Sequence, residues 1–138
     1  MKKFLLTLFI IFLTASFGIC ATNSYDQYGQ KTGTYKLQGT TINHYNKNGQ
    51  RVGSYKQTAS GYNAYNKNGQ KTGSYKTNGN TITQYDKNGQ KVGSYKTNSN
   101  GITTSYDKHG QKTGYYKTDS SGRTTQYDKN GRKVGSYK

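Results

Sequence analysis

Hydrophobic positions divide the chain into two unlike parts. Phe4 to Leu13 is an apolar run broken only by Thr7, and the chain turns polar abruptly at Thr22. After that, tyrosine and glycine recur with a fixed period. Six copies of one pattern begin at Tyr25, Tyr45, Tyr65, Tyr85, Tyr106 and Tyr127, spaced by 20, 20, 20, 21 and 21 residues. The fourth copy reads YDKNGQKVGSYK from Tyr85 to Lys96, and a stretch rich in Thr, Asn, Ser and Gly leads into the next. The one-residue insertions fall in that stretch, where a loop absorbs them.

Each copy contains a turn signal. The residue after the first Tyr is Asp26, Asn46, Asn66, Asp86, Asp107 or Asp128, and three residues later stands Gly29, Gly49, Gly69, Gly89, Gly110 or Gly131. Asp or Asn first and Gly fourth predicts a type I turn followed by a left-handed Gly, the three-residue hairpin loop with a G1 bulge. These twelve residues are therefore assigned to the turns. A two-residue Asn-Gly turn is the rival, but it needs positive φ before the Gly, and Tyr28 resists that in the first copy.

The expected register puts Asp86 opposite Gln90, Tyr85 opposite Lys91, Thr83 opposite Gly93 and Thr81 opposite Tyr95. Tyr85 and Tyr95 then share one face, with Ile82, Gln84, Val92 and Ser94 on the other. Helix is not expected, because no 3.6-residue apolar stripe exists. The fold class is all-β. Residues 21–138 form an antiparallel β-hairpin repeat array of up to about twelve short strands, an extended meander or a coiled, solenoid-like sheet, and the sequence does not choose between flat, coiled and closed forms.

Composition changes the picture of the core. Beyond residue 20 only Leu37, Ile42, Val52, Ile82, Val92, Ile102 and Val134 are branched aliphatics, too few for a conventional core. The fifteen Tyr must substitute for it, stacking across adjacent repeats. The other use of such rings is a ligand-stacking platform. The residue before the second Gly alternates strictly: Thr32, Val52, Thr72, Val92, Thr113, Val134. That pattern fits duplication of a two-repeat unit, or alternate repeats burying this face differently.

Residues 1–20 read as a secretory signal peptide. Lys2 and Lys3 precede the apolar run, and Ala15, Ser16 and Gly18 supply small residues. Cleavage is expected after Gly18, Cys20 or Ala21. A lipoprotein anchored through Cys20 is the alternative, with Ile19 as an unusual neighbour.

The formal net charge is +16, with 21 Lys and Arg against five Asp and no Glu. Lys2 and Lys3 contribute two of those charges, which leaves +14 beyond the signal. Lys31, Arg51, Lys71, Lys91, Lys112 and Lys133 follow the turns; Lys36, Lys56, Lys76, Lys96, Lys117 and Lys138 follow the second Tyr. Stacked repeats align both sets into ladders of like charge, which attract polyanions or keep edge strands apart. Tyr35, Tyr55, Tyr75, Tyr95, Tyr116 and Tyr137, each with the Lys after it, are the candidate ligand-binding residues.

Catalysis is not expected. His44 and His109 are the only near-neutral bases, and His109 occupies a turn position. Each repeat supplies at most one turn Asp, and a lone Cys gives neither a disulfide nor a zinc site. No catalytic residue, metal or cofactor is assigned.

Residues Gly122 to Arg132, GRTTQYDKNGR, resemble the YD repeat of bacterial RHS-type surface and toxin proteins. The other five copies match less closely, with Asn for Asp in two and Gln for Arg after the Gly. The resemblance implies β-hairpin architecture and a secreted or surface location. The period and the Asn-Gly turns are also similar to bacterial cell-wall- and glucan-binding repeats, although those use Trp and this chain has none. The expected function is attachment of an exported repeat protein to anionic or polysaccharide surfaces of the cell envelope through Lys and exposed Tyr. Partners are anionic glycans or other extracellular polyanions, with no specific nucleic-acid partner and no membrane span in the processed chain. The alternative is a structural protein whose open sheet edges join copies end to end.

Overall fold

The computed structural model describes residues 21–138. The expected signal peptide and the lipidation alternative at Cys20 fall outside the described residues. Within them the chain forms twelve strands and no helix: β1 (Ala21–Asp26), β2 (Lys31–Gln38), β3 (Thr41–Asn46), β4 (Arg51–Thr58), β5 (Gly61–Asn66), β6 (Lys71–Asn78), β7 (Thr81–Asp86), β8 (Lys91–Thr97), β9 (Thr103–Asp107), β10 (Lys112–Thr118), β11 (Thr124–Asp128) and β12 (Lys133–Tyr137). Every strand pairs antiparallel with its sequence neighbours, and β1 pairs with β12.

The array is therefore neither an extended meander nor a coiled open sheet, but a closed barrel. The junction that closes it is the same as the junctions within it. Ser24, Tyr25 and Asp26 face Tyr137, Ser136 and Gly135, the register in which Ser105, Tyr106 and Asp107 face Tyr95, Ser94 and Gly93. Asn23 and Lys138 add reciprocal backbone bonds of 2.7 and 2.9 Å.

Closure needs stagger. Ser24 faces Gly33, whose other neighbour is Asn46, two residues beyond His44, the counterpart of Ser24. The same offset recurs at every hairpin and tilts the strands, which lets the sheet meet itself.

The turns follow the expected chemistry. Gly89 N–H donates to Asp86 C=O at 3.1 Å, Asp86 N–H donates to Gln90 C=O at 2.9 Å, and Gly89 has φ near +81°. The Asp86 side chain also accepts from the Asn88 and Gln90 amides at 2.8 and 2.9 Å. The 21-residue spacings have a related cause. Asn98 to Ile102 and Asp119 to Arg123 repeat this loop between hairpins, where the three earlier connections need only two residues.

The expected register fails one residue past the turn. Tyr85 does face Lys91, but Gln84 faces Gly93, so Val92 is an extra residue, a second bulge. A one-residue slip exchanges the faces of everything beyond it. Ile82, not Thr81, faces Tyr95, and Tyr95 points to the opposite side from Tyr85. The equivalent shift occurs in all six hairpins.

This split gives each tyrosine of a repeat its own role. Tyr35, Tyr55, Tyr75, Tyr95, Tyr116 and Tyr137 point inward and are 0–8 % exposed. Eight strands make a barrel that side chains just fill, and twelve enclose more. Here six rings, with Ile42, Ala64, Ile82 and the half-buried Tyr62, occupy that width. Each buried ring removes about 200 Å² from water, at most about 5 kcal/mol. The core is thus aromatic, as the composition requires. It comes from the second Tyr of each repeat, and the first lies outside.

Candidate functional site: the outer wall and the barrel interior

The outer wall is built from residues flanking the inward rings. Tyr25, Tyr45, Tyr65, Tyr85, Tyr106 and Tyr127 form a half-buried girdle, each opposite a small hydroxyl residue except where Tyr127 meets Tyr115. Lys31, Arg51, Lys71, Lys91, Lys112 and Lys133 stand beside the girdle on the turn side, and all are exposed. Lys36, Lys56, Lys76, Lys96, Lys117 and Lys138 form an exposed second ring on the other side. Hairpins advance by two strand spacings, so cations within a ring recur roughly every 10 Å.

Lysine and tyrosine meet directly on this wall. Lys36 Nζ lies 5.5 Å from the Tyr45 ring centre, Lys76 Nζ 5.4 Å from Tyr85, and Lys112 Nζ 5.0 Å from Tyr115. Tyr115 and Tyr127 stack at 4.8 Å and 13°. Arg51 donates to Asn43 and Ser54 at 3.2 and 3.0 Å, which holds its guanidinium against the wall.

The sequence-predicted binding pairs are therefore separated. Their six lysines are on the surface, but their six tyrosines face the barrel interior and cannot stack on an external ligand. The rings beside those lysines belong to the first Tyr of each repeat, which the expected register puts on the same face as the second. The turn residues Asp26, Asn46, Asn66, Asp86, Asp107 and Asp128 each bond their own loop.

The interior holds a second pattern. The residue before the first Tyr points inward: Ser24, His44, Ala64, Gln84, Ser105 and Gln126. It pairs with the bulge residue of its own hairpin, small with Thr and long with Val. Ser24, Ala64 and Ser105 accompany Thr32, Thr72 and Thr113; His44, Gln84 and Gln126 accompany Val52, Val92 and Val134. Thr32 donates to Ser24 and Thr113 to Ser105, both at 2.9 Å. The long residues receive the rings instead. Tyr95 Oη donates to Gln84 Oε1 at 3.1 Å, and Tyr137 Oη to Gln126 Oε1 at 3.3 Å. Tyr35 stacks on His44 at 4.2 Å and 7°. The Thr/Val alternation is thus a packing pattern, and it gives the barrel an approximate three-fold repeat.

Burial sets the ionisation of these groups. Desolvation pushes the hydroxyls of Tyr35, Tyr55, Tyr75 and Tyr62 up, and that of Tyr95 up to about 12. It lowers His44 to about 4. Among the described residues no three His, Cys, Asp or Glu side chains come together as metal ligands, and no helix is long and apolar enough to cross a membrane. No family model matches the chain, and no curated protein matches it in sequence.

Proposed function

We propose that the chain is an exported, non-enzymatic module that binds anionic or polysaccharide surfaces of the cell envelope through its lysines and outward tyrosines. The observation that carries this reading is the outer wall, where two rings of exposed cations flank a girdle of rings. Neutralising a polyanion at several such points releases its counterions, so binding weakens steeply with salt. The girdle adds flat faces for sugar rings or bases. Suitable partners share one chemistry, a repeating negative charge on a flexible polymer, as in acidic glycans, teichoic acids, lipopolysaccharide or extracellular DNA.

Joining copies through open edges has less support, since β1 and β12 occupy each other's edge.

Retention on immobilised dextran sulfate tests the proposal. The processed chain should bind at low salt and elute at moderate salt. Replacing Lys36, Lys56, Lys76, Lys96 and Lys117 with Gln should move elution to clearly lower salt, and replacement with Arg should leave it unchanged. Equal retention of the Gln variant would defeat the assignment. The location is tested separately: charged residues at Leu5, Leu6 and Phe9 should block secretion.

A further inference from the structure

We propose that Tyr115 and Tyr127 are a site of oxidative cross-linking, where a carbon–carbon bond between the two rings staples β10 to β11 on the outer wall.

The pair breaks the pattern of that wall. Tyr25, Tyr45, Tyr65, Tyr85 and Tyr106 stand opposite Ser136, Thr34, Ser54, Ser74 and Ser94, whereas Tyr127 stands opposite Tyr115. Girdle tyrosines of successive hairpins are two strands apart, roughly 10 Å, which is too far for their rings to bond. Directly opposed residues bring their Cβ atoms to about 5 Å. Tyr115 and Tyr127 use that proximity: their ring centres are 4.8 Å apart and their planes 13° from parallel. Tyr115 is held in place. Lys112 Nζ lies 5.0 Å from its ring centre, and its hydroxyl reaches the last turn, 3.7 Å from where a Cβ on Gly131 would stand. Both rings are half-buried on the wall, so part of each stays open to an oxidant. Tyr62 and Tyr75 also oppose each other, but on the inner face, where Tyr75 is 4 % exposed.

The oxidant is hydrogen peroxide acting through a haem peroxidase. Each phenol gives up one hydrogen atom, and the pair of atoms reduces one peroxide to two waters. The two phenoxyl radicals join through the carbons beside their oxygens. Each ring then passes its displaced ortho hydrogen to the oxygen as a proton, and the product is a biphenol two hydrogen atoms lighter than the parent. The new bond closes a loop through the β10–β11 connection and restricts the unfolded chain as a disulfide does. Residues 21–138 contain no Cys, so no disulfide can take that role within them. The bond does not depend on polyanion binding. Tyr28, 80 % exposed at the first turn, is placed to couple between molecules rather than within one.

Dilute processed chain treated with a haem peroxidase and one equivalent of hydrogen peroxide tests this. Dityrosine fluorescence should appear in monomeric protein, with a mass loss of two hydrogen atoms. Trypsin should release residues 113–117 joined to 124–129, with fragmentation placing the bond at Tyr115 and Tyr127. Tyr115→Phe keeps the stacked ring but has no phenol hydrogen to lose. Tyr115→Ser installs the residue found at four of the other junctions. Each should lower the yield in monomer at least about tenfold, and Tyr28→Phe should leave it unchanged. The linked chain should also unfold at a higher urea midpoint than the unlinked one. A bond formed mainly elsewhere in the monomer, an undiminished yield in Tyr115→Phe, or an unchanged midpoint overturns the proposal.

Discussion

Among single residues, His44 stands out because it occupies a position that Gln84 and Gln126 fill elsewhere. Those amides accept a tyrosine hydroxyl, whereas His44 stacks on Tyr35, whose buried Oη has no hydrogen-bond partner among the described residues. Burial holds the imidazole neutral down to about pH 4, against an ordinary value of 6.5. The unfolded chain therefore binds the proton first as pH falls, and stability contributed by neutral His44 is lost from pH 6.5 toward pH 4. The loss is at most about 3 kcal/mol. Urea midpoints measured across that range should fall for the natural chain and stay flatter for His44→Gln. Equal slopes would show that the imidazole is not held neutral.

The two glycines that recur at fixed places in every repeat make a complementary case. A Cβ on Gly73 would meet the Tyr85 carbonyl at 2.5 Å, and Gly135 meets Tyr25 in the same way, at 2.7 Å, across the closing junction. Gly69 has open space but φ near +79°. Gly69→Ala should cost about 1–2 kcal/mol from the left-handed conformation alone. Gly73→Ala must push strands apart and should cost more, about 3 kcal/mol or above. Thermal melts of the two variants decide the order.

Among the strands and turns, the hairpin loops were legible because their chemistry is local. Asp86 and Gly89 specify the turn within four residues, and the structure has that turn. The faces of the strands were not legible, because Val92 carries no local mark of a bulge. A Val between Lys91 and Gly93 reads as an ordinary strand residue. What marks it is non-local: its Thr/Val alternation runs in step with the residue eight positions earlier, Gln84 for Val92 and Ser24 for Thr32. Comparing those two positions would have placed them side by side at the rim, where Val52 and Val134 stay 38 and 39 % exposed, and set Tyr95 apart from Tyr85. The outer girdle was missed for the same reason, since choosing the inward tyrosine also chooses the outward one.

For the barrel as one body, nothing local signals closure. In the ring the last repeat covers the edge of the first, through the same register that joins neighbouring hairpins. A circular permutant tests this reading. Lys138 would be joined to Ala21 through the four-residue sequence of 77–80, and the chain opened between Gly39 and Thr40. It should fold to the same barrel with a melting temperature close to the original, because the new connection copies those between the other hairpins. A permutant that is unfolded or aggregated would show that β1 and β12 meet in some other way.

Alternation constrains how such a protein can change. Near-identical tandem copies invite unequal recombination, which readily adds or removes one unit. Around a ring with two kinds of hairpin, an odd count forces two of the same kind to be neighbours, either Ser-with-Thr beside Ser-with-Thr or Gln-with-Val beside Gln-with-Val. The rings would then lose an acceptor or crowd one. Growth and shrinkage by pairs escape this conflict, so related chains of this design should carry four or eight copies far more readily than five or seven.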